Sequence, residues 1–152
     1  MKARYLVPLA LTLAAALIAG CGGDGDTSTI KLVEHAETDV VRHIGPASEE
    51  DSAGDVLAFA NPVFDEADQK QVGTDNGQCV RTDPGKAWEC IWTVKISGGQ
   101  ITVEGPFYDG GKDSQLAITG GTGEYEDASG QMTLHARDPE ETEYDFTYEV
   151  TK

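Results

Sequence analysis

Apolar side chains recur at every second position over most of this chain, and few folds accept that period. In WECIWTVKI, Trp88, Cys90, Trp92, Val94 and Ile96 are apolar while Glu89, Thr93 and Lys95 intervene. In EYDFTYEV, Tyr144, Phe146, Tyr148 and Val150 alternate with Glu143, Asp145, Thr147 and Glu149. Ile101, Val103, Gly105 and Phe107 repeat the pattern, as do Met132, Leu134 and Ala136. A pleated strand turns successive side chains to opposite faces, so these are strands with one dry face and one wet face. Turn signals separate them at Ser97-Gly98-Gly99, Asp109-Gly110-Gly111, Gly120 to Gly123 and Asp138-Pro139. The pattern predicts eight strands, near 30–36, 55–64, 70–82, 87–97, 100–107, 114–119, 130–137 and 143–151. No segment carries a long amphipathic helix. Residues 37–54, with Pro46, read as a long connection with room for a helical turn. Eight antiparallel strands with one apolar face can close into a barrel, which removes exposed edges; a two-sheet sandwich is the competing architecture. The fold class expected is all-β, over one domain spanning 30–152.

Two of the three cysteines answer each other. Asp83-Pro84-Gly85-Lys86 has proline and glycine at the two central positions of a β-turn. A turn centred between Pro84 and Gly85 sets Cys79 opposite Cys90 on one face of a hairpin, where β-carbons approach closely. A disulfide is expected there. A zinc site is the rival use, and no further ligands stand at suitable spacing.

The first twenty residues, MKARYLVPLALTLAAALIAG, stand apart from this pattern. Lys2 and Arg4 precede an apolar run from Tyr5 to Ile18 that is short for a membrane span and has the layout of an export signal. It ends in Leu17-Ile18-Ala19-Gly20-Cys21. That ending resembles a bacterial lipoprotein signal, which implies cleavage before Cys21 and lipidation of its thiol. An ordinary signal peptide with a chance cysteine is the alternative reading. Export also places Cys79 and Cys90 where disulfides persist. Cys21 to Thr29 is nine residues of Cys, Gly, Asp, Ser and Thr and reads as a flexible tether. Asp24 and Asp26 resemble the start of a calcium loop, but the twelfth position is His35 where a bidentate glutamate belongs. The expected location is extracytoplasmic, on a bacterial membrane.

The glycine-rich AITGGTGEYEDASGQM is not a phosphate cradle. Gly121-Thr122-Gly123 is followed by Glu124, Tyr125 and Glu126 instead of a helix or a P-loop lysine. A net charge of −16 over 152 residues argues against nucleic acid as a partner. No metal or cofactor is expected. His35 alternates outward, His43 lies in the long connection and His135 lies on a wet face. Ser52, Ser114 and Ser129 carry no nucleophile elbow.

LAITGGTGEYEDASGQMTLH resembles the corresponding segment of plant allene oxide cyclases and, more loosely, the glycine motif of dirigent proteins. The likeness continues in order through GDVLAFANPVFD, VGTDNGQC and QITVEGPFYD, covering about Gly54 to Val150. It implies an eight-stranded calycin-like barrel with an apolar lumen, often trimeric. The plant enzymes cyclise an unsaturated fatty-acid allene oxide, and bacterial relatives of the barrel shape polyketide-like cyclisations. By the resemblance, Glu34 matches the family's pocket glutamate, Asn61 an asparagine that helps hold an ordered water, and Cys79 a pocket cysteine. Ala36 replaces a second asparagine, no Ser-Pro pair follows at the family's distance, and Cys90 replaces a small residue. Allene oxide cyclase activity proper is therefore not expected.

The alternation supports a lumen independently. Leu57, Phe59 and Asn61 share one face, opposite Ala58 and Ala60, and Ile30, Leu32 and Glu34 share another. The expected pocket has aromatic walls of Phe59, Trp88, Trp92, Phe107, Tyr144 and Phe146, with Glu34 and Asn61 as its polar groups. Glu34 there would resist ionisation and act as a proton donor or counter-ion; near a mouth it would instead be solvated or paired with Arg81. The expected partner is a small hydrophobic molecule, and any chemistry an isomerisation or cyclisation steered by Glu34 and Asn61. A non-catalytic lipoprotein with a filled barrel is the alternative.

Overall fold

The computed structural model describes residues 25–46, 48 and 50–152; Cys21 and the export signal lie outside them. Nine strands follow one another: β1 (Thr27–His35), β2 (Val40–Arg42), β3 (Val56–Asp65), β4 (Gln71–Asp83), β5 (Ala87–Ile96), β6 (Gly99–Tyr108), β7 (Ser114–Gly123), β8 (Ser129–Ala136) and β9 (Glu143–Thr151). From β3 to β9 each strand pairs antiparallel with the next. β1 pairs with β9 along its whole length and with β3 through Leu32, Val33 and Glu34. Those last pairs close eight strands into a barrel, and β2 lies on β3 beside the seam. The sandwich is excluded.

The alternation dictates which side chains go inward. Trp88, Cys90, Trp92 and Val94 of β5, and Tyr144, Phe146, Tyr148 and Val150 of β9, are all buried in one core with Ile101, Val103, Leu116, Met132 and Leu134. Each fully buried aliphatic or aromatic chain contributes roughly 1.5–3 kcal/mol, so the core stabilises a fold without helices among the described residues. Cys79 stands opposite Cys90, and their sulfurs are bonded. The turn itself is not symmetric. Lys86 N–H bonds the Asp83 carbonyl, Asp83 pairs with Ala87, and an irregularity between Arg81 and Asp83 returns the register to the one the turn predicts.

Three expectations need correction. β1 starts at Thr27, and Thr27, Ser28 and Thr29 pair with Thr151, Val150 and Glu149; the end of the expected tether is therefore strand, because β9 offers it an open edge. The connection 37–54 holds the strand β2, and its described residues include no helical turn. Val40 and Val41 extend along β3. Beyond β2 the buried Asp55 carboxylate organises the rest of the connection, accepting bonds from Ile44 N–H, Ser52 N–H, the Ser52 hydroxyl and His43 Nδ1. The Gly120 to Gly123 run belongs to β7. Tight packing explains two of its glycines: a β-carbon on Gly121 would lie 2.5 Å from the Gln100 carbonyl oxygen, and one on Gly123, at φ 65°, 2.3 Å from that of Gly98.

The closing seam is incomplete. Along one edge of β3, β1 covers Val63 to Asp65 and β2 covers Val56 to Ala58. Between them the chain leaves the sheet at 36–39, and side chains replace the ladder. Ala60 N–H donates to Thr38 Oγ1 at 2.8 Å, and Asn61 Oδ1 accepts from both Thr38 N–H and its hydroxyl at 2.9 Å. This break opens one end of the barrel.

Candidate functional site

At that end a cavity of about 40 Å³ is lined by Glu34, Asp39 and Asp75, by Phe59, Trp92, Phe107, Tyr144 and Phe146, and by Leu57, Leu134 and the Cys79–Cys90 disulfide. Five of the six expected wall aromatics are present. Trp88 is not: it lies nearer the β4–β5 turn, beneath the Arg81 guanidinium, 3.8 Å from its ring centre. The aromatics brace one another, Trp92 stacking on Phe146 at 5.8 Å and meeting Phe59 edge-on at 6.1 Å, with Phe107 edge-on to Tyr144 at 6.0 Å. Gly77 makes room for two of them, since a β-carbon there would lie 2.3 Å from Trp92 Cβ and 2.7 Å from Phe59 Cζ. Leu57, Phe59 and Phe107 are half-buried at the rim. The enclosed space suits a few water molecules, at roughly 10–15 Å³ each, and falls well short of the roughly 300 Å³ of a complete small-molecule pocket. A larger occupant therefore lies partly across the rim or displaces Phe59 and Phe107.

Glu34 projects inward from β1 and is 5% exposed. It does not meet Arg81, which is held by Asp51 at 2.7 Å and Asp109 at 2.6 Å. Burial pushes the Glu34 carboxyl well above the usual carboxylate range, and the Asp75 charge adds to the push. Asn61 stands behind Glu34 and does not line the cavity. Its Nδ2 donates to Glu34 Oε1 at 2.6 Å and to Asp39 Oδ1 at 2.7 Å. With both Thr38 donors on its oxygen, every hydrogen-bonding site of the amide is used. Asn61 is thus a positioning residue, tying Glu34 to Asp39 across the seam.

Asp75 and Asp39 join the site without any sequence motif to mark them. Asp75 is fully buried, neither carboxylate oxygen has a hydrogen-bond partner, and Trp92 Nε1 and Tyr148 Oη are likewise buried without partners. Burial pushes the Asp75 carboxyl up to about 7; the amides of Asn61 and Asp75 itself offset part of this without completing a bond. Its inward direction was readable from parity, because 75, 77 and 79 share the face that Cys79 needs. Asp39 lies outside any strand, where no period speaks.

The remaining candidates fall elsewhere. Ser52 and His43 both bond Asp55 and not one another, so the carboxylate stands between them and no relay to the serine exists. Ser114 Oγ accepts from Tyr108 N–H, Ser129 is exposed, and His135 pairs with Asp113 on the outer wall. His35 stacks on Phe64 and bonds Asp68 at 2.9 Å. With Glu143 these two form the close metal-type grouping among the described residues. Arg137 already bridges it, 2.9 Å from Asp68 and 3.1 Å from Glu143, so a cation's place is taken by a guanidinium.

Comparison with known proteins agrees with this geometry. The allene oxide cyclase barrel like domain matches residues 30–147. A pyocyanin demethylase is 25% identical, superposes with a TM-score of 0.69, and is matched over 82% of this chain and 100% of its own. A pterocarpan synthase dirigent protein, 19% identical, gives 0.66 over 82% of this chain and 93% of its own. A nonspecific heme-binding cyclase of neoabyssomicin biosynthesis, 17% identical, gives 0.67 over 86% of this chain and 68% of its own. The last two likenesses speak to the fold.

Proposed function

Because this chain belongs to the allene oxide cyclase barrel-like domain family, we propose that it binds a small hydrophobic molecule at the Glu34 end of the barrel and guides its isomerisation or cyclisation. The observation that carries the reading is an acid buried among aromatic walls at the one broken stretch of the seam. Glu34, its proton retained by burial, donates to an oxygen of a bound reactive substrate, and Asn61 keeps its carboxyl aimed at the lumen. The walls fold the substrate so that its ends meet, which needs no covalent intermediate. The relatives support this class of work: one is described as a demethylase, one as a pterocarpan synthase and one as a cyclase. We further propose that the mature protein is lipidated at Cys21 and held outside the cytoplasm on a membrane. Exposed Val40, Val80 and Ile91 on the outer wall suit the trimeric assembly that the resemblance implies.

The small cavity favours a second reading, a binding or structural lipoprotein whose barrel is essentially filled. One experiment separates the two. Protein purified from its own host is examined by native mass spectrometry for a co-purified hydrophobe, and that compound's conversion is compared between the parent and Glu34→Gln. The expected result is a bound small molecule and a loss of turnover of about 100-fold or more, the usual contribution of a positioned general acid. Unchanged turnover removes Glu34 from the chemistry; an empty barrel favours the filled-core protein.

A further inference from the structure

Three carboxylates face the cavity, from Glu34, Asp39 and Asp75, and no lysine, arginine or histidine lines it. Their accessibility falls from the rim inward: Asp39 is exposed, Glu34 is 5% exposed and Asp75 is fully buried. Glu34 and Asp39 share the Asn61 amide, whereas Asp75 has no partner for either oxygen. A buried carboxylate without a hydrogen bond is costly, and such groups normally meet a donor. The surrounding wall offers π-faces from Phe59, Trp92 and Phe146, which attract cations. The three acids do not converge closely enough to share a metal ion, since the close metal-type grouping among the described residues lies outside the barrel at His35. The donor that fits must therefore be carried on a body large enough to reach past them.

From this arrangement we infer that the ligand is a hydrophobic base, an apolar or aromatic body bearing a protonated nitrogen whose N–H groups reach Asp75, and not a carboxylic acid. This deepens the reading above and rests on it. Both Asp75 oxygens are shielded in the free protein, so the wall yields as the ammonium head enters the 40 Å³ recess, and the body lies between Leu57, Phe59 and Phe107 at the rim. A carboxylate head would meet three acidic groups there, the exposed Asp39 among them, and no compensating cation. The chain's net charge of −16 draws such a cation from solution as well, though without selecting among cations.

The test uses three probes of one shape: 2-naphthylmethylammonium, 2-naphthylmethanol and 2-naphthoate. Each is titrated into the 15N-labelled protein while the two indole N–H signals are followed. Trp92 lines the cavity and Trp88 does not, so the second is an internal control. The ammonium probe should shift the Trp92 signal with a Kd at least tenfold below that of the alcohol, and naphthoate should leave it in place. Asp75→Asn should abolish the tenfold preference and keep the alcohol's affinity; Glu34→Gln, a second variant, should reduce the preference; Glu149→Gln on the outer wall should preserve it. Naphthoate binding as well as the ammonium overturns the inference, and so does a preference that survives Asp75→Asn. Alcohol binding without any ammonium preference overturns the ligand class alone. If none of the probes moves Trp92, the binding reading of the lumen falls and this inference with it.

Discussion

At the scale of single residues, the informative pair is Asn61 and Asp75, adjacent partners in the β3–β4 register with opposite circumstances. Asn61 is buried with every site satisfied; Asp75 is buried with none. An acid whose folded-state pKa is raised binds its proton more tightly folded than unfolded, so its contribution to stability is complete at low pH and is lost as pH rises. For Asp75 the window runs from its ordinary value near 3.8 up to about 7. Glu34 shifts in the same direction from burial and from the Asp75 charge, and exposed Asp39 adds a third negative group. Asp75→Asn removes the charge while keeping the shape. Urea midpoints should coincide with the parent's near pH 3, below the window, and exceed them at pH 8, where the stability difference is on the order of a few kcal/mol. Identical midpoints at both pH values would mean that Asp75 ionises there without penalty.

At the scale of elements, the β4–β5 hairpin positions the site. Its Cys79–Cys90 bond forms part of the cavity wall, and Gly77 beside it lets Phe59 and Trp92 approach. The sulfurs close a short loop, 11 residues apart in sequence, which by chain entropy contributes about 2–3 kcal/mol. The double variant Cys79→Ser with Cys90→Ser should therefore lower unfolding stability by that amount while leaving the far-ultraviolet spectrum unchanged, because hydrogen bonding along β4 and β5 does not depend on the sulfurs. A loss of the whole fold would make the bridge an organiser of the sheet instead of a staple upon it.

At the scale of the molecule, the two barrel ends differ. Thr27 pairs with Thr151 at the end where Tyr125 is buried and Lys152 lies 4.7 Å over its ring. The mouth is at the other end of β1, beside Glu34, roughly 23 Å along the strand. A lipid anchor at Cys21 would thus hold the closed end toward the bilayer and present the mouth to the aqueous side. Cys21→Ala should move the protein from the membrane fraction to the soluble fraction of its host and leave ligand affinity unchanged. Weakened ligand binding in the released protein would mean that the lipid surface takes part in loading.

The amino-acid sequence by itself determined what depends on neighbours along the chain. Alternation located the eight barrel strands and the inward aromatics, and one turn set Cys79 against Cys90, because hairpin register follows from local geometry. Only the tertiary structure decided where the ring closes. That closure joins β1 to β9 and to β3, brings Glu34 to Asn61, and leaves the seam broken at 36–39. It also leaves Trp88 out of the cavity and puts Asp39 and Asp75 in. These placements arise from contacts between segments far apart in the chain, and the energy of such contacts, unlike a strand's period, is written in no single stretch of it.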